Sequence, residues 1–114
     1  MNKYTELSDF EINRLIAEMD TKNRYVYFEK EQTIFRKFNN GRTQKFNPCN
    51  YPADAMPIII ENKLTLSPRY DIDEWISESM FYHDIYSVNK NPLRAAMEVF
   101  LMMKDAENEG WLRR

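Results

Sequence analysis

Asn91-Pro92-Leu93-Arg94-Ala95-Ala96-Met97-Glu98-Val99-Phe100-Leu101-Met102-Met103 is the stretch on which the fold turns. Asn91 is a strong N-cap residue, since its side-chain oxygen can accept from the free N–H groups of a first helical turn. Pro92 takes the favoured first position, where its missing N–H loses no helical bond. No breaker interrupts Leu93 to Ala106, and Leu93, Ala96, Met97, Phe100 and Leu101 recur at i, i+3, i+4, i+7 and i+8. Val99, Met102 and Met103 widen the apolar surface beyond one stripe. A helix apolar on most sides is central, or packs one side on a sheet and another on a partner, which would support a homodimer through this helix. Gly110 is the expected stop, with Trp111–Arg114 as a tail.

The rest of the chain must supply what this helix packs on. Ser8 followed by Glu11 is a capping box, with Leu7 and Ile12 placed as a hydrophobic staple, and it opens a helix over about residues 8 to 20. Ile12, Leu15, Ile16 and Met19 form its apolar face, leaving Glu11, Asn13, Arg14 and Glu18 to the surface. From Tyr25 onward β-formers dominate without helical period. Asn40-Gly41 predicts a type I′ hairpin pairing Thr33–Phe38 with Arg42–Phe46, after a further strand over Tyr25–Lys30. Ala53–Asn62 reads as a short helix burying Met56, Ile59 and Ile60, with Pro57 tolerable only in its first turn. Asn62 is the expected left-handed end, followed by Leu64 and Leu66 as a short strand. Residues 69–88 are ambiguous between helix and strand, and a strand at Glu74–Glu78 is preferred. Together these elements predict an α+β fold. A small, mostly antiparallel sheet of three to five short strands is packed by the N-terminal and C-terminal helices plus a short middle helix.

The 114 residues suit one domain, spanning 1–114, and a chain this long can bury roughly two thirds of its unfolded surface. A formal charge of −2, 43% apolar residues and two glycines exclude a collagen-like chain, a disordered tract and a strongly basic nucleic-acid binder. Cys49 is the lone cysteine, so no internal disulfide can form. Acidic residues precede any apolar stretch at the N-terminus, and the greasiest segment, Ala95–Met103, is too short for a bilayer of about 30 Å. The expectation is a cytoplasmic protein with no membrane association.

Reactive chemistry finds little to work with. His83 beside Asp84 would suit a general base, yet neighbours on a strand point to opposite faces and no nucleophile is tied to them by spacing. The structural reading is preferred, and no catalytic residue is assigned. Asp71, Asp73 and Glu74 resemble half a calcium loop without its central glycine, and one His with one Cys makes no zinc centre, so no metal is expected. With glycine only at 41 and 110, no phosphate-binding loop can be written and no cofactor is expected. Cys49 has no neighbouring cation in sequence and reads as a buried, inert thiol.

Charge is distributed unevenly. Lys22, Arg24, Lys30, Arg36, Lys37, Arg42 and Lys45 outnumber Glu29 and Glu31 in residues 22–45, while residues 46–87 reverse the excess. Interleaved with Tyr25, Tyr27, Phe28, Phe35 and Phe38, the cations Arg24, Lys30, Arg36, Lys37, Arg42 and Lys45 form an alternative site for single-stranded nucleic acid. The preferred reading keeps the aromatics in the core and the charges in water, or has the two charged regions attract each other.

Two stretches carry a resemblance. Phe46-Asn47-Pro48-Cys49-Asn50-Tyr51-Pro52-Ala53-Asp54-Ala55-Met56-Pro57-Ile58-Ile59-Ile60-Glu61-Asn62 and Asn89–Met103, with Leu7–Asn13 as the opening, resemble the NinX-like family of small proteins from lambdoid phages and prophages. The resemblance implies a phage accessory protein made in a bacterial cytoplasm. It brings no catalytic residues, because the family has no established activity. The loop itself is polar, proline-stiffened and runs into a helix N-terminus, so Asn47, Asn50 and Asp54 are candidate binding residues. The same three side chains would equally cap and tie their own loop. Together, residues and resemblance point to a non-catalytic accessory protein whose partner is a host or phage protein.

Overall fold

The computed structural model describes residues 2–109; the Gly110 stop and the Trp111–Arg114 tail lie outside them. The order is α1 (Asp9–Met19), β1 (Arg24–Phe28), β2 (Thr33–Lys37), β3 (Thr43–Lys45), α2 (Pro52–Asn62), β4 (Ser67–Arg69), β5 (Glu74–Glu78), β6 (Tyr86–Asn89) and α3 (Pro92–Asn108). The fold is α+β as expected. Its strands divide into two antiparallel sheets, β1-β2-β3 and β4-β5-β6.

The capping box forms. Ser8 Oγ accepts from the Glu11 N–H at 3.1 Å, and Glu11 Oε1 accepts from the Ser8 N–H at 2.8 Å. Phe10, Ile12, Ile16 and Ala17 turn into the core. Two expectations change on this helix: Asn13 is buried and Met19 is exposed. Asn13 lies under the 47–50 loop, which hydrogen-bonds its amide, and a long-range contact of that kind has no trace in periodicity.

The hairpin between β2 and β3 uses a different turn from the one expected. A type I′ turn needs positive φ at both central residues, and only Gly41 has it, at 87°. Asn39-Asn40-Gly41 is instead a three-residue loop. The Gly41 N–H donates to the Phe38 carbonyl at 3.0 Å, and the Phe38 N–H donates to the Arg42 carbonyl at 2.8 Å. This sets the register Phe35↔Lys45 and Lys37↔Thr43.

α2 also departs from expectation. Ala55 and Ile59 are buried, while Ile60 is 68% exposed and Met56 joins it outside. A helix apolar on several sides presents neighbouring ridges, and packing against α3 selects between them. Pro57 sits a full turn into the helix, not in its first turn. Its missing N–H leaves the Ala53 carbonyl without an intrahelical partner, and both residues are exposed to water that can serve it. Lys63, not Asn62, takes the left-handed conformation at the end (φ 52°, ψ 52°). Leu64 makes only an isolated bridge to Ser79, and the strand begins at Ser67. Pro68 is tolerated because β4 is an edge strand. β5 falls at Glu74–Glu78 as expected; β6, which no strong apolar pattern announces, pairs beside it.

α3 runs through the centre. It packs against β5 and β6 on one side and against α1 and α2 on others, burying Ala95, Ala96, Met97, Val99, Leu101, Met103 and Ala106. Ser77 and Ser87, paired across β5 and β6, are the small buried side chains beneath it. Its apolar surface is thus largely buried within the chain. Among the described residues, no helix is long and apolar enough to cross a membrane.

Candidate functional site

The central loop folds into a knot of asparagines. Asn47 Oδ1 accepts from Asn13 Nδ2 at 2.7 Å and from Asn50 Nδ2 at 3.0 Å. Asn13 Oδ1 in turn accepts from the Cys49 N–H at 3.0 Å. Asn50 Nδ2 also reaches Asp9 at 3.1 Å, and Asp54 Oδ2 accepts from the Asn47 N–H at 2.9 Å. Asn91, while capping α3 through Oδ1, uses Nδ2 to hold the Cys49 carbonyl at 2.7 Å and Asn50 Oδ1 at 3.1 Å. The fold therefore brings Asn47, Asn50 and Asp54 together and engages all three with the loop, α1 and α3. Asn13 and Asn91 belong to the same knot and were not singled out for it; a helix-cap preference was the only signal Asn91 gave.

Below the knot lies a buried ionic cluster. Arg94 donates through Nε to Glu98 at 2.6 Å, through Nη1 to Asp9 at 2.7 Å, and through Nη2 to the carbonyls of Tyr4 at 3.0 Å and Leu7 at 2.7 Å. Burial disfavours the guanidinium charge, but the bonds to Asp9 and Glu98 outweigh it and hold the pKa above its ordinary value. Glu98 also accepts from Ser87 and from Asn2, which ties the N-terminal segment to β6. Arg94 thus spends four hydrogen bonds on partners inside the protein, as a structural core does.

The groups that could react differ in exposure. His83 and Asp84 are both exposed, in the segment between β5 and β6. Cys49 is fully buried; burial first, and then the Asp9 charge, push its thiol well above the ordinary range. Asp71 and Asp73 are exposed in the turn between β4 and β5, where Asp71 faces Arg69 at 3.8 Å. Among the described residues, no three His, Cys, Asp or Glu side chains converge as metal ligands.

The basic segment is split by its strands. Cross-strand pairing and alternation place Tyr25, Tyr27, Ile34 and Arg36 on the face toward α1 and the core. Arg36 is occupied there, its guanidinium lying 5.1 Å from the Phe46 ring and 5.9 Å from that of Tyr25. Arg24, Val26, Phe28, Phe35, Lys37 and Lys45 occupy the opposite, outer face. Lys30 sits in the turn after β1 and Arg42 at the end of the hairpin loop, both exposed. None of Arg24, Lys30, Lys37, Arg42 or Lys45 forms an ion pair with a described carboxylate. The acidic half of the chain does not neutralise them.

The second sheet presents the reverse. Ile76 pairs directly with Val88, and Tyr86 lies two residues along the same side of β6. Glu74 and Glu78 share that side of β5. From β4, Arg69 lies opposite Glu74 on the same side, so the face carries apolar side chains, two carboxylates and one guanidinium, and it is the one turned away from α3.

Between α1, the first sheet and α2 lies an open cleft of about 430 Å³ bordered by Met19, Asp20, Tyr25, Arg36 and Pro57. Burial raises the Asp20 carboxyl, but hydrogen bonds from the Tyr25 hydroxyl, the Asn23 amide and the Lys22 and Asn23 N–H groups overcome this and bring it to about 2. Burial and the bond to Asp20 push the Tyr25 phenol up to about 12. Comparison with known proteins matches residues 3–104 to a family model described as bacteriophage P22, NinX. No curated protein and no solved structure matches the chain.

Proposed function

The chain belongs to the NinX family of bacteriophage P22 and is a phage accessory protein; we propose that it acts without catalysis, in the bacterial cytoplasm, by binding a host or phage protein. The observation that carries the reading is the outer face of the second sheet. Ile76, Val88 and Tyr86 form an apolar row on the face turned away from α3, Tyr86 exposed and the other two half-buried, with Glu74, Glu78 and Arg69 at its margins. Apolar side chains rimmed by charge are what a protein interface presents, and the carboxylates select a partner whose own apolar patch carries Lys or Arg at its margin. Two further observations support a non-catalytic role. The central asparagines satisfy one another, and His83 stands in solvent while the Cys49 thiol is fully buried.

Affinity capture from phage-infected cells tests this with wild-type protein beside a Tyr86→Ala, Glu78→Lys variant. The expected result is a protein retained by the wild type and lost with the variant, followed by direct binding of the purified pair in calorimetry. Equal retention by both, or none by either, overturns the reading.

A further inference from the structure

We propose that the outer face of β1–β3 binds single-stranded nucleic acid, with phosphates on Arg24, Lys37 and Lys45 and bases stacked on Phe28 and Phe35. Strand alternation brings these five side chains to one surface. Phe28 is 45% exposed and meets the Phe35 ring edge-on at 5.7 Å, so two aromatic rings lie on a face that no helix covers. Arg24 and Lys37 are direct cross-strand partners. Like charges placed opposite each other weaken a sheet, and here no described carboxylate relieves them. An anion laid across the face would.

The chemistry of the occupant follows from the combination. Phosphates answer the cations, and exposed rings amid the cations call for flat partners whose faces are free. Bases in a duplex are stacked on one another, which excludes double-stranded nucleic acid from such contacts. Arg36 is no part of this surface, because its guanidinium lies over Tyr25 and Phe46 on the inner side. The carboxylates of the second sheet repel a polyanion and confine it to the first. The competing occupant, the acidic face of a second copy of this chain, belongs to the outcomes of the test.

The test is fluorescence anisotropy of a labelled oligothymidylate of about 12 nucleotides, and its RNA counterpart, with the full chain from about 50 to about 200 mM salt. Saturable binding is expected, with a log–log salt slope that loses about 0.7 for each of Arg24→Gln and Lys37→Gln. Phe28→Ala should weaken binding by about five-fold or more without changing that slope. Lys90→Gln, an exposed cation elsewhere, should bind as wild type. Circular dichroism of each variant, matching wild type, shows that the fold survives. No binding at the lowest salt, or binding indifferent to Lys37→Gln and Phe28→Ala, overturns the proposal. So does light scattering that finds wild-type oligomers dissolved by Lys37→Glu, which would assign the face to a second copy.

Discussion

Arg94 Nε donates to Glu98 Oε2 at 2.6 Å, one turn along the same helix, and the two side chains keep only 8% and 1% of their surface in solvent. Surface pairs at this spacing are worth a few tenths of a kcal/mol; this one is different because breaking it strands a charge. Arg94→Met should therefore cost about 3–5 kcal/mol in urea unfolding. Arg94→Met with Glu98→Leu should recover a large part of that loss, since both charges then leave together. A single variant as stable as wild type would show that water reaches the pair.

Asn91 acts at both ends of its amide, capping α3 with Oδ1 and holding the central loop with Nδ2. Asn91→Ala removes both and should cost about 2 kcal/mol. Asn91→Ser keeps a capping oxygen without the donor to Cys49, and should fall between the two. Equal stability of the serine variant and wild type would mean that the loop tie contributes nothing.

Cys49 lies under the loop with its thiol held neutral. Native protein at about pH 8 should leave a thiol reagent unreacted over hours, whereas protein in denaturant reacts at once. Rapid labelling of the folded chain would place the sulfur nearer to solvent than the fold allows.

The Tyr25–Asp20 hydrogen bond, 2.5 Å long, predicts a two-sided pH dependence. Asp20 is depressed to about 2 in the folded chain, so its contribution is present above the ordinary carboxyl value near 4 and is lost as pH falls through that interval. Tyr25 is raised to about 12, so its contribution is present below the ordinary phenol value near 10 and is lost as pH rises through that interval. In Tyr25→Phe the Asp20 carboxyl, followed by carbon NMR, should titrate at higher pH. An unmoved titration would remove the tyrosine as the cause.

Sequence pattern located what depends on neighbours. Ser8 with Glu11, and Asn91 with Pro92, mark helix starts that form as read, because each cap bonds to backbone within the first turn. The Asn40-Gly41 pair marked the hairpin but not its loop length. Glycine accepts the left-handed conformation in either turn type, and the pairing of β2 with β3 decides which one forms. The outer, basic face of the first sheet was half legible: the sequence held the cations and rings, but it counted Arg36 among them.

What the sequence determined by itself was class and inventory: helix–strand content, a central last helix, and the lack of a glycine-rich phosphate loop, all set by periodicity, caps and residue counts. The partition of six strands into two sheets belonged to the tertiary structure, as did the burial of Asn13, Arg94 and Glu98 and the separation of Arg36 from Lys37 onto opposite faces. A polar side chain's fate depends on partners distant in sequence, such as Asn13 with Asn47 or Arg94 with Asp9, and only the packed chain brings those partners within hydrogen-bonding reach.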